Sequence, residues 1–152
     1  MFKIIKGNLF ENIPEQKPVV IAHVCNTLGK MGAGFVIPLA EHFPKVRERY
    51  LALGEWRLGH TQIVQVENDS NIWVANMIAQ QGVGHDAAGR PPIRYVALVD
   101  CMREVARYVH NGQVICPKFG SGLAGADWSF IESLIQEIWI DAGIPVTVFE
   151  LE

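Results

Sequence analysis

The chain has 152 residues, 49% of them hydrophobic and 19% charged, with a net charge of −3 and a pI near 5.9. That is one domain's length with enough apolar side chains for a core, which excludes a disordered segment. The chain has no Lys/Arg run, which excludes a duplex-coating role; Cys25, Cys101 and Cys116 lack C-x-x-C spacing, which excludes a disulfide framework or zinc site and fits a reducing compartment.

Phe2 to Lys6 reads as a first strand closed by Gly7-Asn8. It starts without a signal-type apolar stretch, and no apolar run reaches about 18 residues, so a soluble cytoplasmic protein with no membrane contact is expected. After Pro18, the run Val19 to Val24 is apolar and non-alternating, as in a strand covered on both faces. Its His23 reads as a core histidine. Ala33 to Phe43 reads as a helix with Pro38 in its first turn or at a kink, and Pro44 starts a second helix that runs to Leu53. Lys45, Arg47 and Arg49 form its solvated face. Thr61 to Glu67 and Ile72 to Ile78 flank turn residues and read as a hairpin. Gln80 to Gly89 is a glycine-rich loop with Pro91-Pro92 at its exit. Ile93 to Val109 has a 3.6-period apolar face, and Gln113 to Pro117 is a strand. A last helix spans about Asp127 to Ala142, with a capping box at Ser129-x-x-Glu132 or Asp127 as cap. Gly143 and Pro145 stop it before the strand Val146 to Leu151. Alternation of strands and helices implies one three-layer α/β/α domain over residues 1–152, with a mixed sheet of about six strands.

Two glycine clusters follow strands: Asn26 to Gly34, and Phe119 to Gly125. A glycine turn from a strand into a helix presents backbone N–H groups to an anion, and two together could grip a pyrophosphate. The order G-x-x-G-x-G is not the Rossmann order, Gly29-Lys30 is followed by Met31 rather than Ser or Thr, and G-x-S-x-G and H-E-x-x-H are absent. No metal site or cofactor is legible.

Several segments, in order and over essentially the whole length, resemble the macrodomain family. They are Lys6-Gly7-Asn8-Leu9-Phe10, Ala22-His23-Val24-Cys25-Asn26, Gly32-Ala33-Gly34-Phe35-Val36, Pro117-Lys118-Phe119-Gly120-Ser121-Gly122-Leu123 and Val146-Thr147-Val148-Phe149. The resemblance is to the branch of the terminal ADP-ribose protein glycohydrolase and the yeast-type ADP-ribose 1″-phosphate phosphatase. It implies an ADP-ribose site. Asn8 replaces the family's acidic adenine contact, Leu9 offers a nearby N–H, Asn26 matches the residue at the distal ribose, and Phe149 matches an aromatic beside adenine. Gly32, Ala33, Gly34 and Phe35 match the first phosphate loop; Gly120, Ser121, Gly122 and Leu123 match the second. The glycohydrolase's catalytic lysine and aspartate align with Gln65 and Ala124, so the covalent route is closed. Asn26, His85 and Asp86 are the catalytic candidates, the last two closing over the ribose as acid or base. Three functions follow from the resemblance: removal of ADP-ribose from acidic side chains, hydrolysis of ADP-ribose 1″-phosphate, or non-catalytic reading of ADP-ribose, in each case by a monomer.

Overall fold

The computed structural model describes residues 1–151; Glu152, the last residue of the expected domain, lies outside the described residues. Six strands form one mixed sheet: β1 (Phe2–Lys6), β2 (Val19–Asn26), β3 (Thr61–Gln65), β4 (Ile72–Gln80), β5 (Gln113–Pro117) and β6 (Val146–Glu150). Their order is β1-β6-β5-β2-β4-β3, and all neighbours are parallel except β3 against β4. The carboxyl ends of five strands therefore face one way, with β2 and β5 at the centre.

The helices are α1 (Val36–His42), α2 (Pro44–Leu51), α3 (Tyr95–Tyr108) and α4 (Trp128–Ile135), and α4 continues as a π-helical turn through Gln136–Ile140. The strand β2 shows why its sequence does not alternate. Val19, Ile21 and Cys25 pack beneath α1 and α2 with Leu39, Val46 and Tyr50. Val20 and Ala22 face α3 and α4 with Leu98, Met102, Ile131, Ile135 and Trp139. Two apolar layers thus enclose the central strands, as expected for a parallel sheet.

Several boundaries differ from the sequence expectation, and of the two caps it offers for the last helix one is realised. The first helix begins at Val36 rather than Ala33, leaving the Gly-Ala-Gly segment as loop. Asp127, not Ser129, caps α4, because its carboxylate accepts the Ser129 N–H at 3.0 Å. A one-turn 3-10 helix, Leu9–Glu11, follows β1 and is capped by Asn8.

Candidate functional site

A cleft of about 620 Å³ opens at the carboxyl ends of the central strands, where open α/β sheets bind ligands. Its floor holds His23, Val24, Cys25 and Asn26 of β2 and Pro117 of β5. The loop after β2 forms one wall through Lys30 and Gly32 to Val36. The loop after β5 forms the other through Lys118, Phe119, Gly120 and Gly122 to Ala124. The two loops approach each other: a Cβ built on Gly34 would lie 4.0 Å from Leu123 Cδ1.

Among the described residues, no protein acceptor takes the backbone N–H of Gly32, Ala33, Gly34, Gly120, Gly122 or Leu123. Unpaired donors on two facing loops make a preformed anion cradle. At the second loop the cradle is a property of the loop rather than of a helix end, since α4 starts only at Trp128.

The first loop is set by Asn26. The β2–β4 register slips between Cys25 and Asn26, a bulge that re-aims the last residue of β2. Asn26 Oδ1 then accepts the N–H groups of Leu28 (3.0 Å) and Lys30 (3.1 Å), and its Nδ2 donates to Lys30 O at 2.8 Å. Tyr50 of α2 donates its hydroxyl to Asn26 O at 2.6 Å, and Trp56 Nε1 donates to Tyr50 O at 2.8 Å. Asn26 therefore shapes the loop and keeps one amide hydrogen for a ligand.

Two lysines line the cleft. Lys118 is paired with Glu150 (2.9 Å) and lies 5.8 Å from the Trp128 ring centroid. The hydrogen bond and charge of Lys118 hold the Glu150 carboxyl below the usual carboxylate range. Lys30 has no ion-pair partner among the described residues. Among the described residues no carboxylate lines the cleft.

His23 is buried but lines the cleft, so the core-histidine expectation holds only in part. Its Nε2 bonds to Asn76 Oδ1 at 2.5 Å. Burial lowers its pKa to about 4, the Asn76 bond opposing that shift. Cys25 Sγ lies 3.7 and 3.9 Å from the two ring nitrogens, yet burial pushes its thiol well above the usual range, which leaves it a poor nucleophile.

The other sequence candidates are dispersed. Ser121 donates its hydroxyl to Lys118 O at 2.7 Å and does not line the cleft. Asn8 Oδ1 accepts Phe10 N–H, while Leu9 and Phe149 are buried; all three sit at the same end of the sheet, by β1 and β6, outside the cleft lining. Phe35 lines the cleft and stacks on Phe10 at 5.5 Å, an aromatic contact that sequence spacing did not reveal. His85 is exposed. Asp86 Oδ1 accepts the N–H groups of Ala88 and Arg90, and Oδ2 pairs with Arg90 Nε at 2.9 Å and Arg94 at 3.4 Å. Those bonds lower its pKa, the Arg90 N–H most. Only Val83 and Gly84 of that loop touch the cleft.

The alignment of a catalytic lysine with Gln65 needs correction. The antiparallel strand β3 pairs Gln65 with Trp73 at the start of β4, whereas the cleft lies at Gln80, seven residues further along. That is about 23 Å at strand rise. The glutamine beside the cleft is Gln80. Ala124 does line it, buried beneath the second loop.

No protein-family model matches the chain. A curated relative, the ADP-ribose 1″-phosphate phosphatase of Candida albicans, is 30% identical over 90% of this chain and 93% of its own length. A macrodomain protein of Streptomyces coelicolor, solved as a structure, is 35% identical with a TM-score of 0.82 over 98% of both chains. The chain belongs to the macrodomain family. A Bacteroides thetaiotaomicron protein of known crystal structure resembles this macrodomain at 38% identity, with a TM-score of 0.90 over 99% of both chains. The two glycine loops of this macrodomain are the walls of the cleft.

Proposed function

We propose that this macrodomain binds ADP-ribose in the cleft and hydrolyses the bond between its distal ribose and an acidic side chain. The supporting observation is the pair of glycine loops that line the cleft beside Asn26 and carry N–H groups with no protein acceptor among the described residues. The pyrophosphate lies in that cradle, and Asn26 and the loop N–H groups position the distal ribose. Attack by water forms a bond from its oxygen to the ribose carbon as the ester bond breaks. The electron pair leaves on the carboxylate and a water proton passes to solvent. We assign the transfer of that proton to His85, which is exposed on the rim loop. Asp86 shapes the loop, because all its bonds lie within residues 86–94.

A second reading has its own support. The Candida relative is an ADP-ribose 1″-phosphate phosphatase, and Lys30 offers an unpaired cation to a terminal phosphate. In both readings the protein acts as a cytoplasmic monomer.

Calorimetric titration with ADP-ribose tests the shared premise, and no binding at millimolar ligand overturns it. Incubation with glutamate-ADP-ribosylated protein beside ADP-ribose 1″-phosphate separates the readings. Release from the protein alone supports the first, release of phosphate alone the second, and neither makes the domain a reader. Asn26→Ala is expected to abolish turnover; full activity in it places the site elsewhere.

A further inference from the structure

Three side chains form a hydrogen-bonded line across the sheet from the edge to the cleft. Gln62 of β3 lies opposite Asn76 of β4, which lies beside His23 of β2. Their donor and acceptor roles are fixed from one end. Gln62 Nε2 donates to the Arg49 carbonyl at 3.0 Å, and a carbonyl can only accept. Gln62 Oε1 therefore faces inward and accepts Asn76 Nδ2 at 3.1 Å. Asn76 Oδ1 in turn accepts from His23, so Nε2 of His23 must carry the ring proton. A neutral ring with the proton on Nε2 leaves a bare lone pair on Nδ1.

That lone pair is under-used. His23 is 2% exposed and lines the cleft, and among the described residues the one polar contact of Nδ1 is the Cys25 thiol at 3.9 Å, a sulfur that lies nearer Nε2, at 3.7 Å. A thiol is a weak donor, and a buried acceptor holding only a weak donor favours exchange for a hydroxyl. Residues Asn76 and Gln62 do not line the cleft, so their amides serve the ring rather than the ligand.

We propose that His23 is a ligand-reading residue whose Nδ1 accepts a hydrogen bond from a hydroxyl of the distal ribose beside Asn26, with Asn76 and Gln62 as the positioning residues that keep that lone pair in place. The inference rests on the ADP-ribose reading and adds a sugar-sensing acceptor at the cleft floor. It gives the cleft a means to distinguish ADP-ribose from ADP, which fills the phosphate cradle without a distal ribose.

Imidazole nitrogen NMR of the whole protein tests this, with ADP-ribose and ADP as probes. In the free protein His23 should show a protonated Nε2 and a bare Nδ1. Saturation with ADP-ribose should shift the Nδ1 signal toward its hydrogen-bonded range and move the amides of Gly32 and Gly122. ADP should move the amides and leave Nδ1 in place. Gln62→Leu should admit the second tautomer and weaken ADP-ribose about fivefold, the size of one neutral hydrogen bond, with ADP unaffected. A protonated Nδ1 in the free protein overturns the proposal. So does an Nδ1 signal that stays fixed while the glycine amides saturate. If the amides also stay fixed under ADP-ribose, the functional reading falls and takes this proposal with it. The wild-type spectra decide these outcomes even if the variant does not fold.

Discussion

Replacement of Gly29 by alanine should damage the cleft through a brace that lies outside it. Gly29 has φ +69°, a left-handed conformation that costs an alanine roughly 1–2 kcal/mol. The added Cβ would also meet the Trp56 ring, a rigid neighbour, far inside contact distance. Overpacking of that kind costs about 1–3 kcal/mol. The ring cannot retreat freely, because Trp56 Nε1 is bonded to Tyr50 O and the Tyr50 hydroxyl to Asn26 O. The expected loss of stability is about 3 kcal/mol. Gly54→Ala provides the control: its φ is +70° and nothing lies within 4 Å of an added Cβ, so it should cost only the backbone part, about 1 kcal/mol. Urea denaturation of both variants measures the difference. Titration of each with ADP-ribose should show weaker binding in Gly29→Ala alone, since displacement of Trp56 releases Tyr50 and then Asn26. Equal stability losses in the two variants, or unchanged ADP-ribose affinity in Gly29→Ala, would refute the brace.

Further outcomes follow from the charges. His23 is neutral when folded, with its pKa lowered to about 4 against 6.5 unfolded. Below pH 6.5 the unfolded chain takes up a proton that the folded one refuses, so stability falls from pH 6.5 down to about 4, by about 3 kcal/mol in all. Denaturation midpoints across that interval should show the slope, and His23→Gln should flatten it; a parallel slope in the variant refutes the assignment. Lys30→Met should weaken ADP-ribose about fivefold at low salt, roughly 1 kcal/mol for a screened charge pair, and reduce the salt dependence of binding; an unchanged titration at two ionic strengths counts against an unpaired cation at the cleft. Asp86→Asn keeps an oxygen for the turn and should leave turnover within about threefold, whereas His85→Ala should lower it about a hundredfold, the usual scale of lost proton transfer. The reverse order in a single-turnover assay would restore Asp86 as the acid or base.

The sheet, the helices and both cleft walls were legible because they rest on local signals. An unbroken apolar run marked β2, a 3.6-residue apolar period marked α3, proline marked the start of α2, and glycine marked the loops. The floor of the cleft was not legible for a definite reason. The pairing of His23 with Asn76 depends on the register between strands 53 residues apart, which no local pattern states. One hint was available: residues two apart in a strand share a face, so His23 and Cys25 had to lie together among the apolar residues Val19 and Ile21. The same cause explains Gln65. Its place depends on the direction of β3, and a single antiparallel strand puts it at the opposite end of the sheet from the cleft. The Tyr50–Trp56 brace joins a helix to a later loop, and no spacing rule announces such contacts.

Among the described residues the cleft has donors in excess and no carboxylate of its own. This bears on which bonds it can break. Backbone N–H groups stabilise charge that develops on an oxygen, but they do not supply a proton to a departing alkoxide. His23 is held neutral by burial, against the opposing effect of its Asn76 bond, and Ala124 stands where the resemblance leads one to expect an aspartate. A leaving group must therefore be stable as an anion unaided. A carboxylate, whose acid has a pKa near 4, meets that condition; so does phosphate, an acid already ionised at neutral pH. An alcohol such as a serine side chain, which leaves as an alkoxide of water-like basicity, about ten powers of ten worse, does not. Ester and phosphate linkages at the distal ribose, each opened by attack of water on the ribose carbon as the anion departs, are thus the two substrates that a cradle of unpaired N–H groups is suited to, and whether a carboxylate or a phosphate departs is what separates them.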